Sequence, residues 1–458
     1  MQTNKRANPL KKPRKTAPVR NGSTPPKSPR TEKRDSGRVT QVLADALIQQ
    51  ARGASLDRAL TTVLRNAQDL KPDQRRSVVL DLYAINRHRS RLGWHLDQLK
   101  AEQTPAGLLS AWLAFTSKGQ AWTDESGVED LHLMRRVASR TMQDPAMPET
   151  VRLECPPTYE PLLREALGSS FARELATTLE PPRVDLRVNL LKGSKQEAIK
   201  RLHWDKVEAT PAPISPWGLI CEPGTNVSST RAFQDGLVEF QDEGSQLAAL
   251  LCDALPGMQV MDFCSGTGGK ALALAATMQN RGHLVACDVS AVRLARSKLR
   301  LKRAGVENAE RIELPAVDNK AMKKFHGKFH RVLVDAPCSG TGSWRRNPDV
   351  RWSSHAANIA ELTALQSAIL DRAAHYVQKD GHLIYATCSL LREENDQRVD
   401  TFLQIHPDFE QVDARQVWAR VSDKPWPCGD EKVLRLSPAI HGTDGFFAAI
   451  LRKATIPA

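Results

Sequence analysis

The sequence predicts an α/β domain built on a doubly wound parallel sheet, preceded by an all-α domain and a small α+β module. The chain has 458 residues, 41% of them hydrophobic, which is enough for two to four domains with buried cores. From about Phe240 onward, short β-rich runs alternate with helical stretches, as is typical of a parallel sheet with helices on both faces. Earlier in the chain, one region has helical periodicity and the next mixes strand and helix patterns.

A basic segment opens the chain. The formal net charge is +13, and residues 1–40 hold 12 Lys and Arg against only Glu32 and Asp35. This segment has six prolines and no aromatic residue, which predicts a disordered basic tail over residues 1–38. Such a tail attracts polyanions such as RNA, and a linker without a specific role is the alternative.

An all-α domain is predicted for residues 39–140. Apolar residues fall on two helical stripes, Val42, Leu43, Leu47 and Ile48 on one and Leu60, Val63 and Leu64 on the other. Asp73 is a candidate N-cap for a further helix. We expect the arginines of this region to form a solvated face, with RNA contact as the alternative; they are Arg75, Arg76, Arg87, Arg89 and Arg91.

A compact α+β module is predicted for residues 141–235. Prolines between positions 145 and 157 interrupt the helical pattern. We expect a helix over Tyr159–Thr178, an alternating strand from Val184 to Leu191 and a second helix over Ser194–Leu202.

The α/β domain is predicted to cover residues 236–456. Its expected strands are Gln259–Phe263, Gly282–Cys287, Phe329–Val334 and Gly381–Thr387, with a late edge strand at Gly445–Leu451. The helix after the second strand carries six basic residues without an intervening acid, namely Arg293, Arg296, Lys298, Arg300, Lys302 and Arg303. We expect these to be solvated, while the apolar stripe that docks on the sheet consists of Val289, Val292, Ala295 and Leu299.

A glycine-rich loop follows the first of these strands. Gly266, Gly268 and Gly269 allow a tight turn and a close approach to a ligand. The second strand ends in Asp288, which in such a sheet lies beside the loop and can bind ribose hydroxyls. This pattern fits an NAD-type cofactor, an adenosyl-type cofactor or a plain tight turn. It is not a phosphate-binding loop of the Walker A type, because Lys270 lacks the required frame.

Two cysteines follow two later strands. Cys338 stands in Asp335-Ala-Pro-Cys-Ser-Gly, and Cys388 stands in Ala386-Thr-Cys-Ser. Ligands of open α/β sheets bind at the carboxyl ends of the strands, so both thiols are expected at one pocket if the strands are neighbours. A thiolate can add to carbon 6 of cytosine and make carbon 5 nucleophilic, while an acid supports charge at N3. The sequence thus indicates covalent methylation of a cytosine.

At these blocks the chain resembles the RsmB/Sun/Nop family of RNA cytosine-C5 methyltransferases, which use S-adenosyl-methionine. The resemblance extends from Phe240-Gln-Asp-Glu-Gly-Ser-Gln-Leu through both cysteine blocks to Thr443-Asp-Gly-Phe-Phe. It implies a Rossmann-like class I methyltransferase domain. The cofactor loop departs from the family pattern at one position, where Thr267 stands in place of a proline.

The resemblance implies roles for individual residues. Cys388 is the nucleophile, Cys338 assists product release, and Asp335 contacts both the cytosine edge and the methyl-donor side of the pocket. The residues implied in cofactor binding are Cys264, Ser265, Gly266, Thr267, Gly268, Gly269, Lys270, Asp288, Asp318 and Asp335. Arg345, Arg346 and Asn347 are implied to lie by the active site and the RNA backbone.

The resemblance also implies the character of the two preceding regions. The helical region looks like the NusB-type RNA-binding domain of the RsmB branch, and residues 141–235 look like the family's small RRM-like module. This architecture favours 16S ribosomal RNA as the substrate. A transfer RNA methyltransferase and a non-catalytic ribosomal RNA assembly factor are the alternatives, and no hydride-transfer site supports a nicotinamide dehydrogenase.

Several classes of protein are excluded by composition. None of the eight cysteines forms a CxxC pair, so neither a zinc ribbon nor a thioredoxin-type redox pair is expected, and no metal is implied. The sequence has no apolar run of 18 residues and no signal-peptide core at its start. We therefore expect a cytoplasmic protein with free thiols, which binds RNA and neither DNA nor membranes.

Overall fold

The described residues of the N-terminal domain form six helices. The computed structural model of the chain describes residues 36–117, 130–317, 319–353 and 358–454, so most of the predicted tail lies outside the described residues. The helices are α1 (Ser36–Ala51), α2 (Leu56–Asn66), α3 (Pro72–Arg87), α4 (Arg89–Gln98), α5 (Pro105–Thr116) and α6 (Leu131–Ala138). Pro105 occupies the first turn of α5, and the side chain of Thr104 accepts a hydrogen bond from the Gly107 amide at 3.0 Å, which fixes the start of that helix. One apolar core joins these helices.

Three short helices connect this domain to the rest of the chain. They are α7 (Glu149–Arg152), α8 (Glu160–Leu167) and α9 (Phe171–Thr177). The single helix expected over Tyr159–Thr178 is therefore wrong. Gly168 adopts a φ of +52°, which an α-helix does not accommodate, and it ends α8.

A small antiparallel sheet follows. Its elements are β1 (Val184–Val188), α10 (Lys195–Trp204), β2 (Thr210–Pro211), β3 (Gly218–Cys221), α11 (Arg231–Gln234) and β4 (Val238–Phe240), and its strand order is β2-β3-β1-β4. Because β4 pairs with β1 and ends at Phe240, the sheet runs beyond residue 235 and up to the start of the next domain. The alternating strand is shorter than expected and ends at Val188.

The C-terminal domain is a sheet of eight strands with helices on both faces. Its first half consists of α12 (Glu243–Leu250), β5 (Gln259–Asp262), α13 (Gly269–Thr277), β6 (His283–Asp288), α14 (Ala291–Ala304), β7 (Ala309–Glu313) and α15 (Lys320–Lys323). Its second half consists of β8 (Phe329–Asp335), α16 (Ile359–Ala374), β9 (Val377–Thr387), α17 (Asp396–Ile405), β10 (Phe409–Val412), α18 (Ala414–Val421), β11 (Leu434–Leu436), α19 (Pro438–His441) and β12 (Phe446–Lys453). The strand order is β10-β12-β9-β8-β5-β6-β7, and β11 also pairs with β12. Successive side chains of β5 point to opposite faces of the sheet: Val260 packs in the apolar core on one face, and Met261 packs in the core on the other.

One expectation about this sheet holds only in part and another is wrong. The sheet is mixed, because β12 runs antiparallel to β9, β10 and β11 while β5 to β9 are parallel. The run Gly445–Leu451 is also no edge strand, since β12 lies between β9 and β10. All its residues from Phe446 to Leu451 are buried, and such a continuous apolar run belongs in the interior of a sheet.

The docking face of α14 also differs from the expected stripe. The residues that face the sheet are Leu294, Ser297, Leu301 and Ala304. Val289, Val292 and Leu299 are instead 70%, 65% and 74% exposed. Ser297 explains the error, because its hydroxyl donates to the Leu294 carbonyl at 2.7 Å and a polar residue thereby occupies the buried stripe.

No helix among the described residues is both long and apolar enough to cross a membrane.

Candidate active site

The two cysteines meet at the carboxyl edge of the sheet. β8 ends at Asp335 and β9 at Thr387, and the two strands pair in parallel with Asp335 opposite Ala386. The chain turns immediately after each strand, so Cys338 and Cys388 lie side by side with their Sγ atoms 3.3 Å apart. Both thiols are partly exposed. The structure therefore brings both predicted cysteines to one point.

The two thiols are not equivalent. The hydrogen bond to Cys388 and burial together raise the pKa of the Cys338 thiol well above its ordinary value. Cys338 thus keeps its proton and donates it in a hydrogen bond when Cys388 is ionised. This arrangement suits Cys388 for the thiolate role and Cys338 for that of a proton-bearing neighbour.

Backbone contacts fix the two cysteine loops to each other. The Gly342 amide donates to the Cys388 carbonyl at 3.0 Å, and the Leu390 amide donates to Thr341 Oγ1 at 2.8 Å. Close packing requires glycine at position 342, because a Cβ there would lie 2.1 Å from the Gly445 carbonyl oxygen. The spacing of the thiols is therefore set by the loops and not by the cysteine side chains alone.

The glycine loop is closed by Asp288. The Asp288 carboxylate accepts from the Gly266 amide at 2.9 Å and from the Ser290 amide at 2.8 Å. Gly268 has a φ of +85°, and a Cβ there would lie 3.1 Å from the Ser297 Cβ, so glycine is needed at this position. Gly268 precedes α13 without a side-chain cap, which leaves the first amides of that helix available to an anionic group of a ligand.

Residues outside the loop hold it from behind. Arg187 of β1 is buried and donates to the Gly269 carbonyl at 2.8 Å and to the Gln241 side chain. Arg300 of α14 donates to Thr267 Oγ1 at 2.9 Å and to its carbonyl at 3.1 Å. The small antiparallel sheet thus supports the loop directly, a contact that the sequence pattern gave no means to predict.

Arg300 and Arg303 are bound rather than free in solvent. Both pair with Glu239 of β4, Arg300 at 3.2 Å. Glu239 itself is buried. The expectation that all six basic residues of α14 form a solvated face is therefore wrong for these two.

Lys270 and Asp335 form an ion pair at the same sheet edge. Their Nζ and Oδ2 atoms are 2.6 Å apart, and the Lys270 side chain is 8% exposed while that of Asp335 is 34% exposed. Asp262, at the end of β5, is fully buried nearby, and burial raises its pKa to about 7. Lys270 thus orients Asp335, whose carboxylate stays partly exposed at the sheet edge.

The other loop residues offer mainly their backbone. Cys264 packs against the core of one sheet face, where burial raises the pKa of its thiol. The Ser265 amide donates to the Cys287 carbonyl at 2.7 Å, which ties the loop to β6. Asp318, the remaining predicted cofactor residue, lies outside the described residues.

Arg346 is engaged by carboxylates rather than free to meet RNA. Its guanidinium lies 2.8 Å from Asp185 Oδ2, 3.2 Å from Asp242 Oδ2 and 3.1 Å from Asp444 Oδ2. Asp185 belongs to β1, so Arg346 joins the small sheet to the C-terminal domain. Arg345 donates to backbone carbonyls, that of Gly442 among them.

The segment after the Cys338 loop, residues 345–352, also binds the helical domain. The Leu56 amide donates to Asp349 Oδ2 at 2.9 Å, and Arg87 donates to the Arg345 carbonyl at 3.1 Å. The helical domain is therefore docked on a segment that continues directly from one of the cysteine loops.

The solvated arginine face expected in the helical domain is wrong in part. Arg87 and Arg91 are buried, and Arg91 donates to the Arg152 carbonyl at 3.1 Å. Arg75 is half-buried and donates to the Leu64 carbonyl at 2.9 Å. The exposed members of the set are Arg76 and Arg89.

No group of three or more His, Cys, Asp or Glu side chains within the described part of the chain is arranged to hold a metal ion.

Comparison with known sequences places the C-terminal domain. Residues 249–452 match the family model described as "16S rRNA methyltransferase RsmB/F". The probable ribosomal RNA small subunit methyltransferase B of Bacillus subtilis is 34% identical over 297 residues, which cover 63% of this chain and 64% of the relative. The ribosomal RNA small subunit methyltransferase B of Photorhabdus laumondii is 33% identical over 293 residues, covering 64% of each protein. The chain thus spans just under two thirds of the length of these relatives.

Solved structures share the fold. The protein PH0851 superposes with a TM-score of 0.77 at 23% identity, covering 91% of this chain and 99% of that one. A methyltransferase homologue from Pyrococcus horikoshii has a TM-score of 0.57 at 27% identity, covering 68% of this chain and 100% of that one. These likenesses confirm the Rossmann-like methyltransferase fold expected for the α/β domain, while the RRM-like character of the small sheet stays a prediction.

Proposed function

We propose that this chain, whose residues 249–452 match the RsmB/F family model, transfers a methyl group from S-adenosyl-methionine to carbon 5 of a cytosine in RNA. The observation that carries the proposal is the pair of thiols 3.3 Å apart at the ends of adjacent parallel strands. The relatives are named as small-subunit ribosomal RNA methyltransferases, which favours 16S ribosomal RNA as the substrate.

The glycine loop and its neighbours fit an adenosyl cofactor. Gly266 and Gly268 keep the backbone open, the uncapped start of α13 suits a carboxylate, and Asp288 lies beside the loop at the end of β6. When bound, S-adenosyl-methionine supplies the methyl group as an electrophile. Asp318 remains proposed as an adenine contact.

Cys388 acts as the nucleophile. Its thiolate adds to carbon 6 of the cytosine, which turns carbon 5 into an enamine-like centre that accepts the methyl group. The proton then leaves carbon 5, the electron pair of that bond re-forms the ring double bond, and the Cys388 thiolate is expelled. The cysteine is unchanged at the end of the cycle.

Asp335 recognises the base. One of its oxygens is held by Lys270 at 2.6 Å, and the partly exposed carboxylate can accept hydrogen bonds from the cytosine edge. Negative charge that would develop at N3 as the thiolate adds to carbon 6 is neutralised by a proton taken up from solvent, and the fixed Asp335 carboxylate accepts a hydrogen bond from that N3–H. N3 gives the proton back when the thiolate is expelled. Lys270 is thereby a positioning group for Asp335.

Cys338 assists the release of the product. Its sulfur lies against that of Cys388 and holds a proton through its raised pKa. After methyl transfer, hydrogen bonding from Cys338 stabilises the departing Cys388 thiolate, which speeds elimination. A target cytosine reaches these thiols only when it is unpaired or flipped out of its stack.

Methyl transfer by cysteine variants tests the proposal. Wild-type protein incubated with labelled S-adenosyl-methionine and 16S ribosomal RNA is expected to yield 5-methylcytidine, identified by mass spectrometry of the digested RNA. Cys388→Ala is expected to lose this activity, whereas Cys338→Ala is expected to accumulate a protein–RNA species stable to denaturing gel electrophoresis. Product from Cys388→Ala at the wild-type rate would overturn the proposal, and product on transfer RNA alone would move the substrate to the alternative class.

A further inference from the structure

A buried carboxylate that the proposed chemistry leaves unused lies behind the cysteine pair. Glu394 follows β9 and is fully buried. Its side chain accepts from the amide of Ser339 at 2.8 Å and from the Ser339 hydroxyl at 2.5 Å. Gln366 of α16 donates to the same carboxylate at 3.0 Å and to the Pro337 carbonyl at 2.9 Å. The carboxylate is thus fixed through the residues on either side of Cys338.

The neighbours of Cys388 are held by a neutral group instead. The Thr387 hydroxyl donates to Asn395 Oδ1 at 2.6 Å, and Asn395 Nδ2 donates to the Ser389 carbonyl at 2.9 Å. Asn395 is buried as well. The two thiols therefore share one pocket, but the Glu394 carboxylate binds the neighbours of Cys338, whereas the uncharged amide of Asn395 binds the neighbours of Cys388.

This asymmetry has an electrostatic consequence. A negative charge opposes the ionisation of a nearby thiol, and the effect is screened least where water is excluded. The charge of Glu394 is among the causes that raise the pKa of Cys338, after the hydrogen bond to Cys388 and burial. Of the two sulfur atoms, that of Cys338 is the one whose negative charge the Glu394 carboxylate opposes more strongly, so the charge is expected on Cys388.

The other titratable groups that face Cys338 do not supply this bias. Tyr159 and Tyr385 are buried, which raises the pKa of both phenols, so they remain neutral. The Tyr385 hydroxyl donates to the Glu394 carbonyl at 2.6 Å. Arg398, a cation whose charge acts on Tyr385, donates to the Glu393 carbonyl and to the Ser367 hydroxyl.

We propose that Glu394 is a positioning residue that decides which of the two thiols becomes the nucleophile, by keeping the shared proton on Cys338 and the negative charge on Cys388. The inference rests on the proposed function, in which Cys388 attacks the base. Glu394 is then the group that determines which of two otherwise similar cysteines keeps the proton.

Competitive alkylation tests this role without RNA or cofactor. The reduced full-length protein is treated with a limiting amount of iodoacetamide, and the ratio of carbamidomethylated Cys338 to Cys388 is measured by peptide mass spectrometry. Wild-type protein is expected to react mainly at Cys388. Glu394→Gln keeps the shape but removes the charge, and is expected to raise the ratio about tenfold, since one pKa unit changes the thiolate fraction about tenfold.

A matched variant separates charge from hydrogen bonding. Ser339→Ala removes one hydrogen bond to Glu394 but keeps the carboxylate and its bond to the backbone amide. Its alkylation ratio is expected to stay within about twofold of wild type. A wild-type ratio in folded Glu394→Gln, or an equal rise in both variants, would overturn the proposal.

A second measurement applies if Glu394→Gln does not fold. In Cys388→Ala the thiol partner is absent while Glu394 remains. The rate of Cys338 alkylation, measured as a function of pH, is therefore expected to rise with a midpoint above the ordinary thiol pKa of about 8.5. A midpoint at or below that value overturns the role of Glu394. A failure of the proposed function is distinct, because it appears as absent methyl transfer by wild-type protein whatever the alkylation ratio.

Discussion

Arg346 offers the sharpest test of how the small antiparallel sheet is held on the C-terminal domain. The change Arg346→Met removes the cation shared by Asp185, Asp242 and Asp444, whose side chains are 1%, 9% and 8% exposed. Removing one partner of a buried ion pair typically costs 3–5 kcal/mol, because the remaining charges are left without compensation. The Arg346 side chain is 31% exposed, so we expect the lower end of that range, a loss of about 3 kcal/mol in the free energy of unfolding at pH 8.

The loss should depend on pH in a defined direction. Burial, with the neighbouring Asp242 next in importance, raises the pKa of Asp185 to about 6 and that of Asp444 to about 7. Their ordinary value is 3.8, so between about pH 4 and pH 7 the folded state binds more protons than the unfolded state. These two groups therefore make wild-type protein less stable as the pH rises through this window. Without Arg346 the carboxylates repel each other more strongly. The free energy of unfolding therefore falls more steeply with rising pH in the variant than in wild-type protein.

Urea denaturation at pH 8 and at pH 5.5, followed by tryptophan fluorescence, measures both effects. We expect the loss in free energy of unfolding caused by Arg346→Met to fall below about 1.5 kcal/mol at pH 5.5, where Asp185 and Asp444 are mostly protonated. Arg346→Lys keeps the charge and should show less than half of the cost with little pH dependence. A cost that is the same at both pH values, or equal in the two variants, would refute the electrostatic explanation.

Three further predictions test separate parts of the molecule. Leu301→Ala, at a position 7% exposed, should lower the free energy of unfolding by about 2–5 kcal/mol, whereas Leu299→Ala, at a position 74% exposed, should change it by less than about 0.5 kcal/mol; similar losses in urea denaturation would contradict the observed phase of α14. Arg187→Met should weaken S-adenosyl-methionine binding about tenfold by calorimetry, because the Gly269 carbonyl loses a charged donor, and unchanged affinity would mean that the loop holds its shape alone. Deleting residues 1–35, which precede α1, should reduce the salt dependence of RNA binding, and an identical salt slope would show that this segment does not contact RNA phosphates.

The positions of the two cysteines, the glycine loop and Asp288 could be predicted from the sequence because each follows or ends a strand. The pattern that ends β8 and β9 predicted that Cys338 and Cys388 would share a pocket, and their sulfur atoms are 3.3 Å apart. The glycine loop and Asp288 were recognised for the same reason, since the carboxyl ends of parallel strands meet at one edge. Local periodicity was sufficient for these parts of the fold.

Contacts between distant segments could not be read in this way. Arg187 and Glu394 support the site from other elements, and neither stands in a pattern that marks a ligand. The stripe of α14 was predicted out of phase because Ser297 is buried by bonding its own helix. The position of β12 inside the sheet depends on strand order, which periodicity does not specify.

The most direct test of the central claim is to trap the bond between Cys388 and the base. RNA carrying 5-fluorocytidine in place of cytidine provides the trap, because fluorine at carbon 5 cannot leave as the proton does and the adduct persists. With S-adenosyl-methionine present, we predict a protein–RNA adduct whose tryptic peptide carries the methylated fluoropyrimidine on Cys388. An adduct mapped to Cys338, or no adduct with protein that methylates ordinary RNA, would contradict the account.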